Sequence, residues 1–293
     1  MKPILYGSLA SWMVGVPVVI NAFAGLGYTF TDERIRLLRW SMKLCLKAMV
    51  QLSRSVVLVQ NHDDQERLIH EGIVSIGRTR VIAGSGIDLQ TFCIQSPPAG
   101  IPVVVLPARM LWDKGVGEFV EAARHLRSKG VKARFALVGR RDDHNPAAIP
   151  LSVLASWTEE GAIEWWGHRD DMPAVYRAAT LIVLPSYREG LPKVLLEAAA
   201  SGKAMVATDV PGCRDIVRDE INGVLVPPRN SSSLAAGIER LLLNDGEREA
   251  MAARGRELAE KEWSIPTIVE QMLQLYREML EANSCEQGFY GCT

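Results

Sequence analysis

Glu189 and Glu197 stand eight residues apart in the stretch LIVLPSYREGLPKVLLEAAASG, residues 181–202. A carboxylate has two acceptor oxygens, so one such group can take hydrogen bonds from neighbouring hydroxyls of a ring. Pro192 opens a helical pattern that closes at Gly202. The start of a helix offers unpaired backbone N–H groups and a positive dipole end to an anion. Hydroxyl acceptors beside an anion site suit a sugar joined to phosphate. Glutamate pairs on helices are otherwise mostly solvated surface charges.

A second stretch of the same shape strengthens it. Pro107-Ala108-Arg109-Met110-Leu111-Trp112-Asp113-Lys114-Gly115 also follows an apolar, β-rich run and opens a helical pattern. Open α/β sheets bind ligands at the carboxyl ends of their strands, which is where this loop would hold Arg109 and Lys114. Two cations there suit a diphosphate, the Arg as a planar fork and the Lys as a point charge. For Lys114 taken singly, an ordinary solvated loop is the simpler reading.

The elements that must position these residues alternate strand and helix, the pattern of an α/β protein with parallel sheets. One set runs Val16 to Ile20 (strand), Glu33 to Leu52 (helix), Ser55 to Gln60 (strand), Asp64 to Glu71 (helix) and Thr79 to Ile82 (strand). Turn and linker residues follow at Gly84 to Asp88 and at Ser96 to Gly100, predicting a boundary near residue 97. A second set continues from Pro102 through strands ending at Leu106, Val138, Trp166, Leu184, Thr208 and Val226. It makes a complete doubly wound domain, while the first set is short of one. The expected organisation is 1–97, 98–264, a carboxy-terminal helix 265–282 returning to the first domain, and a frayed tail 283–293.

Composition narrows the class. The chain has 293 residues, 48% hydrophobic and 23% charged, with a net charge of −1. Such a balance gives no general attraction to nucleic acid. The five cysteines show no metal-ligand spacing, so buried free thiols in a reducing compartment are expected. From Pro3 to Thr31 there is no charge, which imitates a signal peptide or membrane span. Gly15 and Pro17 cut that run into a helix, Ile4 to Val14, and a β-branched strand, both expected to be buried.

At this point the residues resemble a known family, the retaining nucleotide-sugar glycosyltransferases of family four, with the two-domain GT-B fold. Its Glu-x7-Glu hallmark is matched by Glu189 to Glu197 and its Arg-x4-Lys-Gly diphosphate site by Arg109 to Gly115. The likeness continues through Leu137-Val138-Gly139, Trp166-Gly167, Thr208 to Asp215 and Asn222 to Val226. The resemblance implies two Rossmann-like domains, the first incomplete. It implies that Glu189 contacts the transferred sugar and Glu197 the ribose, while Arg109 and Lys114 neutralise the leaving diphosphate. Backbone at Gly190, Leu191 and Lys193 would add N–H donors, and Gly139-Arg140 with Trp166-Gly167-His168 would frame the base. Gly25 and Gly27 would lie on the acceptor side. No metal or other cofactor is implied. The partners implied are a nucleotide sugar, with uridine diphosphate the expected leaving group, and a glycan or lipid-linked acceptor in surface polysaccharide synthesis.

Residues 1–97 match only the second half of the family's amino-terminal domain, and Ala24 stands where many relatives place a histidine. Relatives with a small residue there tend to handle N-acetylated hexosamines. The transferase reading includes a late start codon at Met1; the rival readings are a non-catalytic remnant that binds nucleotide sugar or pairs with a separate amino-terminal half, and a GT-B epimerase, the last disfavoured. Asp170-Asp171 fits a helix cap better than a metal site. On the helix from Glu33, the residues Arg36, Arg39, Lys43 and Lys47 recur along one face. A basic amphipathic helix suits an anionic membrane, and a solvated surface face explains the pattern equally well. Lipid-linked acceptors in the family tip the expectation to a cytoplasmic protein peripheral on the inner face of the cell membrane.

Overall fold

The computed structural model describes residues 2–25, 36–95 and 99–289. In chain order the elements begin α1 (Lys2–Met13), β1 (Ile20–Phe23), α2 (Arg36–Leu52), β2 (Val56–Val59), α3 (His62–His70) and β3 (Thr79–Val81). They continue β4 (Val103–Pro107), α4 (Val116–Ser128), β5 (Arg134–Val138), α5 (Leu151–Glu159), β6 (Glu164–Trp165), α6 (Met172–Ala178), β7 (Leu181–Leu184) and α7 (Lys193–Ala200). The last are β8 (Ala204–Thr208), α8 (Cys213–Ile216), β9 (Gly223–Val226), α9 (Ser231–Leu243), α10 (Asp245–Leu258) and α11 (Ile265–Phe289). Contacts divide them into two compact units, Gly86–Ser264 and a second made of Met1–Ser85 with Ile265–Thr293.

The larger unit is a six-stranded parallel sheet in the order β6-β5-β4-β7-β8-β9. Its central strands are apolar on both faces, with every residue of β4, β7 and β8 buried. Such strands need helices on both sides. Val104, Leu106, Val183 and Val206 share one core with Phe119, Val120, Leu234 and Ile238 of α4 and α9. The chain winds outward one way from β4 to β6, then returns to β7 on the other side of β4. The β4–β7 crevice is therefore the switch point, where two loops diverge and leave room for a ligand.

The smaller unit holds a three-stranded parallel sheet, β1-β2-β3. Asn21 on β1 is buried and donates through Nδ2 to Ser8 Oγ and Ser55 Oγ, both at 2.8 Å. One amide thus ties α1 to the starts of two strands. On one side of the sheet Val57 and Val59 join Ile4, Leu46 and Leu68, and on the other Val56 and Leu58 join Ile268 and Leu275 of α11.

Five expectations are corrected. Helix α1 is not buried: Ile4 and Ser8 face inward, one turn apart, while Tyr6 is 71% and Trp12 53% exposed. A charge-free run does not specify burial on every side. The first strand is Ile20–Phe23, not Val16–Ile20, because Gly15 turns the chain at φ +69 and Pro17 has no N–H for a ladder. The division falls at Gly86 rather than near residue 97. Ile87 N donates to Trp263 O at 2.8 Å, Arg256 Nη1 to Phe92 O at 2.9 Å and Lys203 Nζ to Gln95 O at 3.2 Å, which binds this segment to the larger unit. Helix α11 runs to Phe289 instead of ending at 282 in a frayed tail. Among the described thiols Cys213 is buried, but Cys45 and Cys93 are exposed. No helix among the described residues is long and apolar enough to cross a membrane.

Candidate functional site

Two loops meet at the switch point. The loop after β4 carries Arg109 and Lys114, and the loop after β7 carries Glu189. Gly115 lets them touch: its φ is +68, and a Cβ there would lie 2.0 Å from Pro185 O. Tyr187 N donates to Asp113 O at 2.9 Å, a main-chain tie between the same loops. Tyr187 Oη donates to Glu118 Oε1 at 2.6 Å, and burial, with this bond second, pushes the phenol up to about 12.

Within that frame Lys114 Nζ donates to Glu189 Oε1 at 2.6 Å, with the two side chains 17% and 14% exposed. Ser186 Oγ donates to the same oxygen at 2.7 Å. Thr208 Oγ1 in turn donates to Ser186 O. Oxygen Oε2 of Glu189 takes no hydrogen bond from the described residues, so the carboxylate is anchored by one oxygen and open at the other. The pair combines a charge-assisted bond with partial burial, where such contacts are stronger than at an exposed surface.

Arg109 is not drawn into this pair. It is half exposed and its Nη1 donates to Asp142 Oδ2 at 2.8 Å, in the loop after β5. Gly139 opens that loop at φ +150, and a Cβ would meet Ala108 O at 1.9 Å. Gly139 N also donates to Gly167 O at 2.8 Å, which joins the β5 and β6 loops. The indole bonded to Gly139 O is that of Trp165, at 3.1 Å, while Trp166 Nε1 donates to Glu164 Oε2 at 2.9 Å. Met110 N donates to Arg140 O at 3.1 Å. His168 lies 3.2 Å from Asp170 with both side chains largely exposed, and Asp171 accepts from Ala174 N at 3.2 Å as the cap of α6.

Glu197, in the second turn of α7, is held differently. Tyr176 Oη lies 2.8 Å from Glu197 Oε2 and 3.0 Å from Val194 O. Burial raises the Glu197 carboxyl, while the Tyr176 bond and nearby Lys193 act against it. Pro192 precedes the first helical residue, Lys193, which is exposed. Leu191, Gly190 and Gly25 are half-buried, and Gly27 lies outside the described residues. Sequence reasoning missed Ser186, Asp142, Tyr187 and Tyr176. The Ser-Tyr pair did lie in the quoted motif, but nothing in residue type said where its side chains would turn.

A doubly wound parallel sheet with facing cationic and acidic groups at its switch point defines an α/β domain with a ligand crevice at the carboxyl ends of its strands. The comparisons narrow it. A family profile described as "Glycosyl transferases group 1" matches residues 101–244. Over 291 aligned positions the chain is 30% identical to N,N'-diacetylbacillosaminyl-diphospho-undecaprenol alpha-1,3-N-acetylgalactosaminyltransferase of Campylobacter jejuni, covering 94% of this chain and 74% of that protein. It is 23% identical to UDP-Gal:alpha-D-GlcNAc-diphosphoundecaprenol alpha-1,3-galactosyltransferase of Escherichia coli, covering 94% and 73%. Among solved structures, Anabaena HepE in complex with UDP superposes with a TM-score of 0.80 at 20% identity, covering 94% of this chain and 76% of that one. The chain belongs to the group 1 glycosyltransferases, and its parallel α/β fold is that of GT-B enzymes.

Proposed function

We propose that this transferase moves a hexose or N-acetylhexosamine, with retention of configuration, from a UDP-sugar to a glycan carried on a lipid diphosphate. The observation that carries the reading is the 2.6 Å contact of Lys114 with Glu189 at the β4–β7 crevice. It sets a cation for the leaving diphosphate beside a carboxylate oxygen open to sugar hydroxyls. Arg109, half exposed, has reach to the same phosphates by exchanging its Asp142 partner. Charge building on the departing diphosphate is met by Lys114 and Arg109, the largest contribution a protein makes to such a step, and no metal is needed for it. As the bond from the anomeric carbon to the diphosphate breaks, the acceptor oxygen bonds that carbon on the same face, and a departing diphosphate oxygen takes the acceptor's proton.

The named activities of the Campylobacter and Escherichia relatives, both on diphospho-undecaprenol glycans, support the lipid-linked acceptor. The UDP in the Anabaena structure supports the base. Work on such an acceptor suits a cytoplasmic protein attached peripherally to the inner membrane face. On α2, Trp40, Leu44 and Lys47 are exposed, while Lys43 is paired with Glu71 at 2.7 Å. The side chains of Arg36 and Arg39 lie outside those described. Titration calorimetry with UDP tests the core of the reading: saturable binding lost in Lys114→Met supports it, and absence of binding in the unaltered chain sinks it.

A further inference from the structure

Glu197 has a keeper that no motif announces. Tyr176 on α6 is fully buried, yet its hydroxyl reaches α7 and faces two acceptors, Glu197 Oε2 at 2.8 Å and Val194 O at 3.0 Å. A phenol has one proton to give. With Glu197 ionised, that proton goes to the carboxylate, because a charged acceptor binds it about twice as strongly as a neutral one. The bond takes Oε2 inward, and Oε1 accepts nothing from the described residues.

The tyrosine ring is itself pinned. Phe92 meets it edge-on, with centroids 5.8 Å apart and an interplanar angle of 76°. Phe92 sits in the segment after Gly86, whose carbonyls accept from Arg256 at Phe92 and from Lys203 at Gln95. Arg256 Nη1 also donates to Ala200 O, at the end of α7. The segment, α6 and α7 therefore form one braced block around a single carboxylate. Left unbraced, a glutamate on a helix surface samples several rotamers, and fixing it on binding costs side-chain entropy.

We propose that Tyr176 is the positioning residue for Glu197, holding Oε2 so that Oε1 is preset for the ribose hydroxyls of the donor. It touches no substrate and acts through the carboxylate. The inference rests on the reading of Glu197 as the ribose acceptor, and the experiment separates the two. Affinities of UDP and 2′-deoxy-UDP are measured by calorimetry for the unaltered chain and for Tyr176→Phe, which keeps the buried ring.

The unaltered chain is expected to prefer UDP by about tenfold, the worth of a hydrogen bond to a charged group. In Tyr176→Phe the UDP affinity falls about tenfold, 2′-deoxy-UDP changes little, and the preference collapses. Donor KM rises in step while kcat holds. Adding Tyr176→Phe to Glu197→Gln causes no further loss of preference. An unaltered chain that does not distinguish the two nucleotides removes the ribose role of Glu197, and the positioning role with it. A preference kept in full by Tyr176→Phe, or an equal weakening of both ligands, leaves the ribose role standing and overturns the positioning role. Should Tyr176→Phe not fold, Phe92→Leu keeps the hydroxyl and loosens its ring. A partial loss of preference then supports the proposal, and an unchanged preference overturns it.

Discussion

Lys114 Nζ lies 2.6 Å from Glu189 Oε1, although the two residues come from separate loops 75 positions apart in the chain. The bond uses one glutamate oxygen, shared with Ser186, and leaves the other open. Glu189→Ala should therefore spare UDP affinity, which depends on the cations, and lower sugar transfer by about a hundredfold. Steady-state kinetics with UDP calorimetry on the same variant checks this. Unchanged turnover would remove Glu189 from the sugar site.

Lys114→Met has the opposite signature. It takes away the charge that meets the diphosphate and leaves Glu189 without its cation. A fall in kcat of about 10²–10³ is expected, with UDP binding weakened as well. Calorimetry of UDP against uridine shows whether the loss is confined to the phosphates, as the geometry requires.

Burial raises the Glu197 carboxyl. The ionised form accepts more strongly from both Tyr176 and a ribose than the protonated one, so donor affinity should fall as pH drops through this raised value. The loss then begins at a higher pH than an ordinary glutamate would give. UDP binding followed against pH in the unaltered chain and in Glu197→Gln provides the check, since the amide variant should lack this step.

Lys203 is 3% exposed, and burial lowers its ammonium from 10.5 to about 8. Between those values the unfolded chain holds a proton that the folded chain has lost, so stability rises with pH across that window. The shift corresponds to about 3 kcal/mol, at about 1.4 kcal/mol per unit. Urea unfolding at pH 7 and pH 10 should show the unaltered chain gaining on Lys203→Met as pH rises. A constant difference would contradict the burial argument.

Trp40, Leu44 and Lys47 on the exposed side of α2 lead to a measurement with vesicles. Sedimentation with anionic lipid is expected to fall about fivefold in Lys47→Gln, at about 1 kcal/mol per basic residue near the surface, and to weaken with salt. Salt-independent binding would remove the electrostatic part of the argument.

Much of this protein can be read from its residues. Apolar runs such as Leu181 to Leu184, followed by Pro and closed by Gly202, mark buried parallel strands and helix ends, because periodicity and backbone restriction are local properties. The alternation of those elements predicts the doubly wound sheet, and the spacings of Arg109 to Lys114 and Glu189 to Glu197 pick out the loops that matter. Burial is less local. The uncharged residues of α1 do not reveal that Ile4 and Ser8 turn inward while Tyr6 and Trp12 stay exposed, since a side chain is buried by what packs on it. Partner choice is wholly tertiary. That Lys114 pairs with Glu189, that Arg109 goes to Asp142, and that Tyr176 holds Glu197 depend on which strand lies beside which. The strand order β5-β4-β7 brings those loops within hydrogen-bond reach, and residue types alone do not encode it.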